Sequence, residues 1–257
     1  MRALASVIGV PVVLAALAAG AAAAGEGCDP AMPATAVVER VVDAGTIALK
    51  EGTLVRLAGV VAPEGRTGDL ARQRLLTLLN GKPVLLGDRQ ARPDRYGRTA
   101  AQIYVGADRT WVQAVLLRAG LLRVFTLRDE RACAAALLEA EAEGRAAGAG
   151  LWADPQFAIR MADDPTLPGD GGRFQIVEGE VLSTGRTAAA VYLNFGRNRS
   201  TDFTVTVNMA DTELSESEGP ALDALKGRRV RVRGWLFIEN GPAMRVDHPE
   251  QIELTDR

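Results

Sequence analysis

The chain is poor in the residues that build the commonest metal and redox sites. Among 257 residues there is one histidine, His248, and there are two cysteines, Cys28 and Cys133. A lone histidine leaves no multi-histidine metal centre and argues against a histidine-based catalytic triad. Two distant cysteines make no zinc site. Strong charge of one sign is missing too, since 30 basic and 32 acidic residues leave a formal net charge of −2. Residues 35–155 carry 17 basic and 14 acidic groups, or +3, and residues 171–257 carry 11 and 13, or −2. Neither part is the polybasic glove that holds a long nucleic acid by charge alone, so any such binding rests on local patches. Beyond the N-terminus no stretch is apolar enough to cross a bilayer, and there are no tandem repeats.

What the chain does have begins with residues 1–24. One arginine, an Ala/Val/Leu run and small residues at Ala22 and Ala24 read as a secretory signal peptide. Secretion or a periplasmic location follows, which puts Cys28 and Cys133 in an oxidising compartment where an even count favours a disulfide. With 47% hydrophobic and 24% charged residues the mature chain can bury one large core or two modest ones.

Residues 153–172, "ADPQFAIRMADDPTLPGDGG", combine three prolines with repeated aspartate and no sustained period, the composition of a linker. The expected organisation is a first domain over 35–155, a linker over 156–171 and a second domain over 172–257. In the first, "AVVERVV", "GTIALK" and "TLVRLAGVV" read as strands and residues 67–79 as a helix. The strands "KPVLLG" and "TAAQIYV" follow, then helices over 110–119 and 129–147. Three strands, a helix, two strands and further helices predict a five-stranded barrel of OB type with an α-helical flank. The order nearly repeats after the linker, so the expected fold is mainly β with flanking helices: two tandem OB-type barrels.

Within the first part "VVDAGTIAL", "VRLAGVVAPEG", "DRYGRTAAQIYV", "LLRAGLLRV" and "GAGLWADP" occur in the order and spacing of the staphylococcal nuclease (thermonuclease) family, over about residues 36–155. The resemblance implies a phosphodiesterase site. Hydrolysis of a phosphodiester needs guanidinium forks to hold the charge gathering on phosphorus and a carboxylate to position water. Arg56 and Arg98 match the phosphate-binding positions, Glu64 matches the water-orienting one, and Tyr96 is retained beside Arg95. The metal positions depart from the family. Where its members hold Ca²⁺ with two aspartates, this chain has Gly45 and Val61. Glycine offers no side-chain oxygen and valine only methyls, whereas calcium wants six to eight oxygens. Asp43, two residues from the first position, would need a rearranged turn to step in. Ala62 replaces a threonine, and Thr126 and Arg128 replace two tyrosines that meet nucleotide in the family.

In "RRVRVRGWLF" strict alternation puts Arg229, Arg231, Arg233, Trp235 and Phe237 on one face. Arginines beside aromatics suit a groove for single-stranded nucleic acid. The alternative is a bulge at Gly234 that turns Trp235 into the core and leaves solvated arginines. His248 is expected in the turn before the last strand, with Trp111 and Trp152 as packing anchors.

Three functions remain open. The first is an exported, calcium-impaired nuclease-family protein that binds nucleic acid, another polyanion or a protein partner. The second is an active phosphodiesterase using Arg56, Glu64 and Arg98 with an altered metal or none. The third is a cell-envelope interaction module.

Overall fold

A computed structural model describes Cys28 and residues 33–208 and 222–255. The expected signal peptide lies outside these residues, as does the acidic run "DTELSESEGP". No helix among the described residues is long and apolar enough to cross a membrane.

The N-terminal half is built on β1 (Ala34–Val41), β2 (Thr46–Leu49), β3 (Leu54–Leu57), β5 (Pro83–Gly87) and β6 (Arg98–Val105), with short β4 (Val60–Val61), β7 (Thr110–Trp111) and β8 (Arg123–Val124) at its edges. The strands run β3-β2-β1-β5-β6, and parallel pairing of β3 with β6 from Leu54↔Arg98 to Leu57↔Ala101 closes the sheet into a five-stranded barrel. Closure removes the free edges and lets both ends of the sequence pattern share one core. Val38, Ile47, Leu49, Val55, Leu57, Leu86 and Ile103 fill it.

Three α-helices flank the barrel: α1 (Gly65–Leu79), α2 (Val112–Arg118) and α3 (Ala134–Ala146). Gly68, Ala71, Leu75 and Leu79 form the buried stripe of α1 at helical spacing. Two glycines set how closely α3 approaches. A Cβ on Gly144 would lie 2.3 Å from the Leu117 carbonyl oxygen, and one on Gly59, at φ +73°, would lie 2.4 Å from Leu137 Cδ1. The expected helix over 129–147 starts later than its sequence pattern suggests. Glu130 N–H bonds to Leu127 O and Ala134 N–H to Arg131 O, so residues 127–133 turn before α3 begins. Likewise the expected helix over 110–119 gives its first two residues to β7.

The C-terminal half has a second apolar core that includes Val177, Leu193, Phe203, Val205, Val232 and Met244. A four-stranded sheet, β17 (Ile252–Leu254), β14 (Arg229–Trp235), β10 (Phe174–Glu180) and β9 (Arg160–Met161), packs with a five-stranded sheet, β11 (Ser183–Arg186), β12 (Ala190–Asn194), β13 (Thr204–Asn208), β16 (Pro242–Val246) and β15 (Phe237–Ile238). The segment read as a linker is folded in part. Its β9 pairs in parallel with β10, and Arg160 is ion-paired to Asp164 at 2.9 Å and to Asp170. These bonds convert a proline-rich connection into a strap along the sheet edge.

Candidate functional site

The retained arginines converge at one end of the first barrel because of strand register. Thr46 on β2 stands opposite Arg56 on β3, and its hydroxyl accepts from Arg98 Nη1 at 3.4 Å. Each guanidinium is already held by a carboxylate. Arg98 donates from Nε to Asp94 Oδ2 at 2.9 Å, with Nη2 also 2.9 Å from that oxygen. Asp94 Oδ1 accepts from the backbone N–H groups of Tyr96 and Arg98 at 2.8 and 3.0 Å. Slight burial works to raise the Asp94 carboxyl, but the backbone and side-chain donors of Arg98 and the Tyr96 N–H outweigh it and hold it below the ordinary 3.8.

Arg56 is bound by Glu130, whose other oxygen accepts from Gly59 N–H at 3.2 Å. Glu130 is only 6% exposed. The carboxylate that holds Arg56 is thus Glu130 and not Glu64. Nothing in "LRDERAC" marks Glu130, since its significance depends on closing a separation of 74 residues. Glu64 occupies the N-cap position of α1 without a side-chain capping bond, and its side chain is exposed. No hydrogen bond or ion pair among the described residues ties it to Arg56 or Arg98.

Freeing Arg56 from its carboxylate tests how far the pair masks the site. Glu130→Gln keeps an acceptor for Gly59 N–H and removes the charge. Affinity for a short oligonucleotide in EDTA should rise about fivefold, the equivalent of roughly 1 kcal/mol for a partly exposed ion pair. Equal affinities would show that Glu130 does not compete for Arg56.

The positions that the resemblance assigns to calcium are Gly45 and Val61, which carry no side-chain oxygen. In the turn before β2, Asp43 Oδ1 accepts from Gly45 N–H at 2.8 Å, so the nearest carboxylate is engaged in shaping its own turn. Val61 on β4 supplies no side-chain oxygen. Among the described residues the cluster of three potential metal-binding side chains is Cys28, Asp88 and Cys133, and the two sulfurs there form a disulfide. Cysteine pairing is as expected from the count.

Tyr96 is 60% exposed, with the Arg95 guanidinium 4.8 Å and the Arg98 guanidinium 5.0 Å from its ring centre. This cation–aromatic stack gives the turn a rigid, positively charged rim.

The arginine stripe of β14 has another role from the one expected. The β10–β14 register is continuous from Glu180↔Arg229 to Phe174↔Trp235, so there is no bulge at Gly234 and Trp235 stays half-exposed. The arginines, however, face carboxylates. Arg229 lies 3.4 Å and Arg231 2.7 Å from Glu178. Arg233 is fully buried, with Nη2 3.0 Å from Glu141 of α3, Nη1 donating to Val124 O at 3.0 Å, and Glu253 as a further partner. A nucleic-acid strand cannot reach Arg233. Its charge joins the two halves instead. Phe237 leaves the stripe for β15, where Arg245 covers it at 4.6 Å.

Other contacts extend this seam. Arg131 makes a two-pronged bond to Glu250 at 2.7 and 2.9 Å, and Arg123 donates to Phe174 O at 3.1 Å. Burial pushes Arg123 down to about 10, with Glu141 opposing and Arg233 reinforcing the shift. His248 lies in the expected turn, but its ring enters the seam: Nε2 is 2.6 Å from Thr126 Oγ1, and Nδ1 bonds to Asp247. One histidine therefore does suffice for a triad-like Thr–His–Asp chain, contrary to the sequence argument. Thr126 is 1% and His248 0% exposed, so no substrate reaches the hydroxyl and the chain acts as a docking bond. Trp111 is buried and donates to Gln102 Oε1 at 3.0 Å, as a packing anchor would.

A closed five-stranded barrel with three flanking helices is an OB-type α+β architecture of the kind found in nuclease domains. Residues 54–154 match the family model described as staphylococcal nuclease homologue, so the chain carries a domain of staphylococcal nuclease type. The match begins at the start of β3, leaving the Asp43–Thr46 turn and the C-terminal half outside it. No curated protein matches the chain.

Proposed function

We propose that this is an exported protein of the staphylococcal nuclease class that binds nucleic acid or a related polyanion and has lost calcium-dependent cleavage. What supports the reading is that Gly45 and Val61 fall where the resemblance places the metal ligands, while Arg56 and Arg98 both lie beside Thr46. Without the dication, phosphate binding falls to guanidinium forks, which also hold an unreacted phosphodiester. The metal's charge on the developing anion, worth several kcal/mol, is then missing from the reaction. Export accords with the disulfide and the expected signal peptide.

The test is cleavage of labelled single-stranded DNA by the chain from Gly25 onward, in Ca²⁺, Mg²⁺, Mn²⁺ and EDTA, beside Glu64→Gln. The expected result is no stimulation by Ca²⁺. Calcium-stimulated cleavage that Glu64→Gln lacks would overturn the reading. A second reading, metal-independent hydrolysis, is favoured by the exposed Glu64 carboxylate, which no hydrogen bond or ion pair among the described residues engages. It predicts cleavage in EDTA that Glu64→Gln abolishes.

A further inference from the structure

The five-stranded sheet of the C-terminal half has an outer face that the nuclease-type half does not cover with any of the bonds described above. Alternation along β12 and β13 sends Val191, Leu193, Val205 and Val207 into the core and leaves Tyr192, Thr204 and Thr206 half-exposed on the other side. Register places Gly185, Tyr192, Thr206 and Arg245 in one row across four strands. Gly185 has no side chain with which to cover the neighbouring tyrosine ring. The next row brings Ser183, Thr204 and Phe237 onto the same face.

At the end of that row lies a cleft of about 400 Å³ lined by Leu182, Ser183, Gly196, Arg197 and Arg199. Its loop is braced from within. Asp202 accepts from Asn198 N–H and from Thr201 Oγ1, both at 2.8 Å, and a Cβ on Gly196 would lie 1.9 Å from its carboxylate. The negative charge of Asp202 is thus used to shape the loop. Arg197 and Arg199 are exposed; the Arg197 backbone N–H also bonds to Asp202, and neither guanidinium is ion-paired among the described residues.

We propose that this face and cleft form a binding site for single-stranded nucleic acid. Arg197 and Arg199 hold backbone phosphates at the cleft, and Tyr192 carries an unstacked base. Guanidinium forks match phosphate oxygens, and aromatic rings on a sheet accept any base face. A duplex hides those faces and fits less well. The inference rests on the nucleic-acid reading above but moves the strand-holding role from the arginines of β14, which are occupied by glutamates, to the other sheet.

The experiment is fluorescence anisotropy of a labelled 12-nucleotide oligo(dT) with the chain from Gly25 onward carrying Glu64→Gln, across a salt series. Arg197→Ala/Arg199→Ala should weaken binding at least tenfold and reduce the salt slope by about 1.4, the value for two phosphate contacts on a single strand. Tyr192→Ala should weaken binding about fivefold or more with the slope unchanged. Both variants should melt within about 2 °C of the parent, since the arginine side chains are exposed and unpaired among the described residues and Tyr192 lies outside the core. Retained affinity in both overturns the inference. So does dextran sulfate binding as tightly as the oligonucleotide with no effect of Tyr192→Ala, which would define a cationic patch only. Loss of binding in Arg56→Ala/Arg98→Ala but not in Arg197→Ala/Arg199→Ala would sink this inference and leave the first reading standing. No binding by the parent at about 50 mM salt would overturn both.

Discussion

Glu141→Ala should lower stability by about 3–5 kcal/mol, because it strips the carboxylate from a buried ion pair and leaves the opposite charge in place. Glu141 and Arg233 are both 0% exposed. The same carboxylate accepts from Val124 N–H at 2.7 Å and lies 3.3 Å from Arg145. Its loss strands a guanidinium, a backbone N–H and part of a second arginine where water cannot replace the bonds. For a chain of this size the melting temperature should fall by about 6–20 °C. Replacing both partners by apolar residues, Glu141→Leu/Arg233→Met, should cost far less than the sum of the single changes. A Glu141→Ala loss below about 1 kcal/mol would show that the two halves do not depend on this pair.

The same seam gives the protein an acid limit. Burial works to raise the Glu253 carboxyl, but Arg233, Arg231 and Arg145 more than offset it and hold it below its ordinary 4.5. A carboxyl lowered on folding contributes stability that is complete above its unfolded value and is lost as pH falls through the folded one. Part of the stability should therefore disappear below about pH 4.5. Glu253→Gln should flatten that limb in melting curves taken between about pH 3 and 6.

How much of this was legible in the sequence depends on how far apart the interacting residues are. The strands of the first barrel announce themselves through local alternation and apolar runs, and β1–β2, β2–β3 and β5–β6 pair as neighbours in the sequence, whereas β1–β5 and the closing β3–β6 pairing do not. Arg56 and Arg98 are found by their motifs. Their partners divide by distance: Asp94 is four residues from Arg98, whereas Glu130 is 74 residues from Arg56. The turn at 127–133 looks like the charged first turn of α3, yet the Arg56 contact uses Glu130 from just before the helix. In β14 the alternation correctly predicts which side each arginine takes. It says nothing about what faces that side, and a buried arginine is the rare outcome that composition argues against. Only the packing of α3 and β17 on that face turns a nucleic-acid-like stripe into an internal joint. His248 misled for the same reason, since its partner Thr126 lies 122 residues away.

Removing the disulfide should have an effect of comparable size. Cys28 and Cys133 are 105 residues apart with Cα atoms at 5.3 Å, and a link that closes so long a loop restricts the unfolded chain by about 4–5 kcal/mol. Cys28→Ala/Cys133→Ala should therefore lower the melting temperature by about 8–20 °C in the chain from Gly25 onward. The consequence reaches the candidate site through Asp88, whose carboxylate lies 3.5 and 3.4 Å from the two sulfurs; this residue begins the loop that carries Arg95 and Tyr96 and leads to Arg98 at the start of β6. Farther along, Gln90 Nε2 donates to Asp129 O at 2.5 Å, next to the Glu130 that holds Arg56. The staple, the loop and the arginine pair are therefore contiguous. Hydrogen exchange in residues 88–98 should accelerate in the double variant more than exchange in β1 and β2, whose amides are protected by the barrel. A uniform increase across the first half would mean that the link acts on the unfolded chain alone. A loop-specific increase would show that it also holds the arginine rim in place, and phosphate-dependent binding at Arg98 should then weaken along with it.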